Sequence, residues 1–110
     1  MSEKSVVEIL EGGLHYLRTY GWRRGNYGYR EPGDTCPACA LGALFAGAGV
    51  RSSPFPPFDG KNIQGALDLL EHELPPEAEG VVHYFNDHIA KRRRNVERLY
   101  ERAIKKAKAA

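Results

Sequence analysis

The sequence predicts a mainly α fold, a compact bundle of four or five short helices with long ordered loops. Three observations point there. Apolar residues recur at steps of three and four in successive segments, the period of helices that each bury one face. A charge-free stretch rich in alanine and glycine lies near the middle of the chain and suits a helix that its neighbours approach closely. The third is size: 110 residues, 42% hydrophobic and 27% charged, are enough for one core, so residues 1–110 are read as a single domain.

Ser2 or Ser5 can cap a first helix whose inward positions are Val6, Val7, Leu10, Leu14 and Leu17, and which ends at Gly21. Gly12 and Gly13 each oppose it by about 1 kcal/mol relative to alanine, unless another backbone packs closely there. Trp22 to Asp34, WRRGNYGYREPGD, has no periodicity and reads as an ordered surface loop, long enough to be functional. Asp34-Thr35-Cys36-Pro37 then supplies cap candidates and a first-turn proline for a central buried helix over Ala38 to Ala48. Arg51 to Gly60, with Pro54, Pro56 and Pro57, lacks the amide donors for regular structure and is expected to cross as an extended connector pinned by Phe55 and Phe58. A third helix starts near Asp59 or Asn62, turns Ile63, Leu67, Leu70 and Leu74 inward, and stops at Pro75-Pro76. Val81, Val82, Phe85 and Ile89 predict a further helix reaching back to Glu77, although VVHYF also suits a short strand. The basic C-terminal helix, residues 91–110, places Val96, Leu99, Tyr100, Ala103, Ile104 and Ala107 inward, with Arg94, Arg98, Arg102 and Lys105 along its other side.

The net charge of +2 conceals segregation: residues 1–53 carry +1, residues 54–90 carry −6 and residues 91–110 carry +7. The tail either folds against the acidic middle or meets an acidic partner. No apolar run approaches the ~20 residues of a membrane crossing. The opening Met1-Ser2-Glu3-Lys4 has no signal-like character, so a soluble cytoplasmic protein without membrane contact is expected. A single glutamine, Gln64, and a single methionine beside abundant Arg, Glu and Pro hint at a thermophilic host.

Four separated motifs carry a resemblance. Gly21-Trp22-Arg23-Arg24-Gly25, Cys39-Ala40-Leu41-Gly42-Ala43-Leu44, Phe85-Asn86-Asp87, and Val96, Leu99 and Arg102-Ala103-Ile104 on the last helix occur in this order. The chain resembles, over nearly its whole length, a family of short bacterial and phage proteins of unknown function. The resemblance implies a mainly helical fold and directs interest to Trp22, Cys39, Asn86 and Asp87, but it supplies no activity. Relatives of that kind tend to have threonine where Arg92 stands, so the start of the last helix is open, with Asn95 an alternative cap.

Cys36-Pro37-Ala38-Cys39 is the sharpest local feature, since a thiol at a helix N-terminus can be stabilised as thiolate. The βαβ setting of a redox C-x-x-C is missing, and the residues after Cys39 are apolar, so a buried structural cysteine is the favoured reading. Zinc held by both cysteines with His83 and His88 would need a far longer linker than a finger has; no metal or other cofactor is assigned. A cysteine nucleophile activated by His83 or His88 and oriented by Asn86 or Asp87 is chemically complete, but the sequence does not bring these groups together. The plainer role of Asn86 and Asp87 is to end one helix and tie the following loop through side-chain to backbone bonds.

Trp22, Tyr27 and Tyr29 lie among Arg23, Arg24 and Arg30, a combination suited to stacking on a base or a partner surface. Trp22 alone reads better as a core plug. Lys91-Arg92-Arg93-Arg94, continued by Arg98 and Arg102, could neutralise phosphates, although a charge run is more often a solvated face. The leading expectation is therefore a small binding or regulatory protein, phage-related, acting on a protein partner through its arginine-rich loop or its basic last helix. Nucleic-acid binding by that helix is the first alternative. A cysteine-dependent enzyme or redox protein is the second.

Overall fold

The computed structural model describes residues 4–53, 58 and 62–109. The described elements are α1 (Val6–Tyr20), α2 (Ala40–Ala48), α3 (Asn62–His72), a 3-10 turn (Pro76–Ala78), a short turn α4 (Val82–Tyr84) that runs directly into π-helical backbone (Phe85–Ile89), and α5 (Arg93–Ala109). The fold is the predicted helical bundle; the described residues contain one isolated parallel bridge, Trp22 with Ala38, and no longer strand.

Ser5 opens α1 with a complete capping box: its hydroxyl accepts from the Glu8 amide at 3.1 Å, and the Glu8 carboxylate accepts from the Ser5 amide at 2.8 Å. Ile9, Leu10, Leu14 and Leu17 are buried. The two glycines that weaken α1 in isolation form its contact with α2. A Cβ on Gly12 would lie 2.9 Å from the Cα of Gly47, and one on Gly13 would lie 3.0 Å from the carbonyl of Ala43. Two helix backbones thus touch where a side chain would hold them apart, and the burial this permits outweighs the lost propensity.

Helix α2 is the dry centre of the molecule, with Ala40, Ala43, Leu44 and Phe45 fully buried. It starts later than expected. The cap is not in the Asp34–Pro37 stretch but is Cys39 itself, whose sulfur accepts from the Gly42 amide at 3.3 Å. Asp34 instead turns its carboxylate back onto the amides of Arg30 (2.9 Å) and Glu31 (3.2 Å), closing the loop on itself.

Helix α3 starts at Asn62 and ends before the proline pair, with Ile63, Ala66 and Leu70 buried. Of the expected connector, Phe58 packs edge-on against Phe45 with ring centroids 5.5 Å apart. Phe55 and the three prolines lie outside the described residues. The helix expected from Glu77 begins only at Val82, because Glu79 and Gly80 both adopt left-handed backbone and break the chain after the 3-10 turn. On α5, Val96, Leu99, Tyr100 and Ala103 are buried as expected. Asn95 serves its start from inside the helix: its side-chain oxygen accepts from the amides of Lys91 and Arg92, each at 3.0 Å, so the first turn needs no threonine at Arg92.

Candidate functional site

The loop after α1 is fixed by hydrogen bonds at both of its edges. Arg23 N donates to Ala38 O and Ala38 N to Gly21 O, both at 3.1 Å, and Cys39 N donates to Tyr27 O at 3.2 Å. Asn26 accepts from the Gly28 amide at 3.0 Å, a local Asx turn. Tyr16 donates to the carbonyl of Cys36 at 2.8 Å, and Tyr29 to that of Val50 at 2.7 Å. Tyr29 is buried at 2% exposure, so it is a core residue and not part of a surface for stacking. Tyr27 is half-buried, its ring centroid 6.0 Å from that of Phe45.

One buried side chain ties this loop to α2. Asn86, fully buried in the π-helical segment, uses all four of its hydrogen-bonding positions. Its oxygen accepts from the Trp22 indole at 2.6 Å and from the Ala40 amide at 2.8 Å. Its nitrogen donates to the Arg23 carbonyl at 3.1 Å and to the Asp87 carboxylate at 2.9 Å. The same Asp87 oxygen accepts from the Gly25 amide at 3.0 Å. Burial alone would push the Asp87 carboxyl up, but the Gly25 and Asn86 donors and the nearby His88 and His83 imidazoles outweigh it and hold the group below its ordinary value. Asn86 and Asp87 thus bind the preceding loop, Trp22 to Gly25, and the first amide of α2, rather than the loop that follows them. From the other side Tyr100, fully buried, donates to the Ala40 carbonyl at 2.6 Å, and burial keeps its phenol firmly protonated. Nothing in the sequence marks Tyr100 apart from its place on an apolar helical stripe.

Two hollows flank this hub. The first, about 440 Å³, is lined by Trp22, Arg92, Arg93, Arg94 and Glu97. The Arg24 guanidinium lies over the Trp22 ring, 5.5 Å from its centroid, and donates to the Ala90 carbonyl. Arg24 of the first basic run therefore sits beside Trp22, which lines the groove together with three arginines of the second run. Arg92, Arg93 and Arg94 of the basic run all belong to it. Arg98 is exposed further along α5, and Arg102 turns away to the Glu73 carbonyl at 3.4 Å. Arg23 contributes its backbone to the hub and exposes its side chain.

The second hollow, about 320 Å³, includes Asn26, Tyr27, Cys39, Leu41, His83 and Asp87 in its lining. Cysteine, histidine and aspartate thus do converge, but not as a thiolate nucleophile. Cys39 is 3% exposed, its sulfur is engaged as the helix cap, and burial raises its thiol above the ordinary value, so it stays protonated at neutral pH. Cys36, by contrast, is exposed, and its thiol donates to the Gly28 carbonyl at 2.9 Å. Both cysteines are free, and among the described residues no group of three or more His, Cys, Asp or Glu is placed to hold a metal ion. A disulfide-exchange reagent added to the folded protein is expected to titrate Cys36 at once and Cys39 only when denaturant opens the core. Equal rates for the two thiols in native buffer would overturn the buried-cap assignment.

Fold and hub together define a small, mainly helical bundle whose long loop is locked to its central helix by a buried asparagine. The chain belongs to a family of unknown function, DUF6197, whose family model matches residues 1–106. Searches of curated proteins and of solved structures found no match. No described helix is long and apolar enough to cross a membrane.

Proposed function

We propose that the protein is a binding protein that docks onto an acidic segment of a protein partner through the groove between the Trp22–Arg24 turn and the start of α5, in the cytoplasmic, phage-related setting that the sequence suggests. The observation that carries this reading is the meeting of Arg92, Arg93 and Arg94 with Trp22 in one hollow. Arg92 and Arg94 form no ion pair with the described residues, and no acidic side chain sits in the first turn of α5 to offset them. Placing cations at the positive end of a helix dipole is unfavourable by a few tenths of a kcal/mol or more per charge, a local penalty that an arriving carboxylate relieves.

The same ion pairs favour an acidic protein segment over nucleic acid. Glu97 takes up Arg93 at 2.7 Å and Arg18 at 3.2 Å, Glu101 takes Arg18 at 2.8 Å, and Glu11 takes Lys108 at 3.1 Å. The basic stripe of α5 is thereby interrupted by the protein's own acids, leaving a local patch rather than a track for a phosphate backbone. The Arg24 guanidinium already covers one face of the Trp22 ring and Asn86 holds its N–H, which leaves less of the ring for stacking on a base.

Trp22 is the only tryptophan and lies in the groove, so its fluorescence reports occupancy directly. Titration with an oligoglutamate peptide is expected to change that signal, and the double variant R92A/R94A to weaken binding about tenfold, in line with ~1.4 kcal/mol from two exposed charge contacts. Arg98→Ala should leave the affinity nearly unchanged. Tighter binding of a short DNA duplex, with a steep salt dependence, would replace this reading with the nucleic-acid one. No binding of either probe would reject both.

A further inference from the structure

The second hollow is separate from the arginine groove: the two share no lining residue. It is lined by no lysine or arginine; Asp87 is its one acidic residue and the exposed His83 its one imidazole, which favours the charged form of the Asp87 carboxyl. One oxygen of that carboxylate is fixed by the Gly25 amide and the Asn86 side chain, while the other receives no hydrogen bond from the described residues. The carboxylate is therefore held in a single orientation with half of its accepting capacity unused. Around it stand the half-buried ring of Tyr27, the aliphatic Leu41 and the uncharged Cys39 thiol. A preformed carboxylate in a partly apolar hollow that an aromatic ring also lines is complementary to a cation that carries N–H donors and a flat or compact head. The carboxylate repels anions, and a purely apolar guest would leave its free oxygen without a partner. About 320 Å³ is near the lower end of the roughly 300–1,000 Å³ usual for small-molecule sites, room for a small amine or for one arginine or lysine side chain.

We propose that the hollow between Tyr27 and Asp87 is a binding site for an organic cation, a guanidinium or primary ammonium group, borne either by a free small amine or by an arginine or lysine side chain of a bound polypeptide. The Asp87 carboxylate receives the N–H donors, Tyr27 supplies the aromatic wall, and Leu41 and Cys39 exclude water from one side.

The test is a titration of the full chain with agmatine, with putrescine and with a blocked arginine tripeptide, followed by calorimetry and by amide shifts of Gly25 and Asp87. Asp87→Asn is the informative variant, because its side-chain oxygen still accepts from Gly25 and Asn86 while the charge is gone. It is expected to keep its unfolding midpoint within a few degrees and to lose on the order of tenfold in affinity for the cations, with Tyr27→Leu losing less. R92A/R94A should bind them as the wild type does. Binding of agmatine or putrescine but not of the peptide supports the site and identifies a free amine as its source; binding of the peptide but not of the free amines supports it and identifies a polypeptide side chain. Affinity unchanged in Asp87→Asn, displacement of the cations by acetate, or no binding of any of the three probes at millimolar concentration would overturn the proposal.

Discussion

Replacing Gly47 with alanine will destabilise the protein by at least about 3 kcal/mol, against the usual gain of up to ~1 kcal/mol when a glycine within a helix becomes alanine. A Cβ at this position would drive into the carbonyl of Ile9 and the amide of Gly13, and would lie 3.0 Å from the carbonyl carbon of Gly12. All three are backbone atoms of α1, so no rotamer change relieves the clash; the two helices must separate, and Leu10, Leu44 and Phe45 lose contacts at the core between them. With a urea m-value of about 2 kcal/mol/M, the midpoint should fall by roughly 1.5 M at unchanged slope. Gly65→Ala in α3 is the control. Its Cβ would meet only the end of the Val6 side chain at 3.3 Å, a group able to move aside, and the stability should stay level or rise. Equal tolerance of the two substitutions would mean that α1 and α2 are not in backbone contact.

That contrast also marks what a sequence makes legible. The faces of α1, α3 and α5 follow from apolar spacing, because burial of a helix side is decided by which side chains recur on it. Gly12 and Gly13 announce either a weak helix or a close crossing, and only the position of Gly47 decides between them. The cap of α2 was misplaced because Asp34 and Thr35 are stronger caps in isolation than cysteine, yet Asp34 is used by the amides of its own loop. The π-helical stretch leaves no trace in composition, since it differs from an α-helix by backbone pairing alone, as in the 2.8 Å bond from Ala90 N to Phe85 O. The residues to which the family resemblance pointed, Trp22, Cys39, Asn86 and Asp87, all meet at the loop–α2 junction. Their purpose was hidden because most of the groups they satisfy are backbone amides and carbonyls, which every residue carries. The arginine groove was half visible: each basic run stands out, but their meeting depends on Arg24 reaching Ala90 across 66 positions of sequence.

The largest effect of a single side chain should come from Asn86. Truncation to alanine leaves the Ala40 amide, the Trp22 indole N–H and the Arg23 carbonyl without their partner at a site with no solvent exposure. Each buried orphan costs about 1–3 kcal/mol; because Trp22 is only half-buried and water can reach part of the gap, a total near 4 kcal/mol is expected. Against the roughly 5–15 kcal/mol by which a domain of this size is stable, that is a large fraction of the total. Asn86→Asp separates hydrogen bonding from packing. Its carboxylate can still accept from Trp22 and Ala40, but it cannot donate to Arg23 and it sets a second negative charge against Asp87. Burial and that neighbour raise the new carboxyl in the folded state above its unfolded value of about 3.9, so relative to wild type its stability is greatest below that value and is lost as pH rises through the folded one. Denaturation midpoints of the three proteins between pH 3 and 8 should show Asn86→Ala offset from wild type throughout and Asn86→Asp converging toward it in acid. An alanine variant within about 1 kcal/mol of wild type would mean that water replaces the amide without loss, and that the loop over α2 is held by its remaining bonds, those of its backbone to Ala38 and Cys39 and of Gly25 to Asp87.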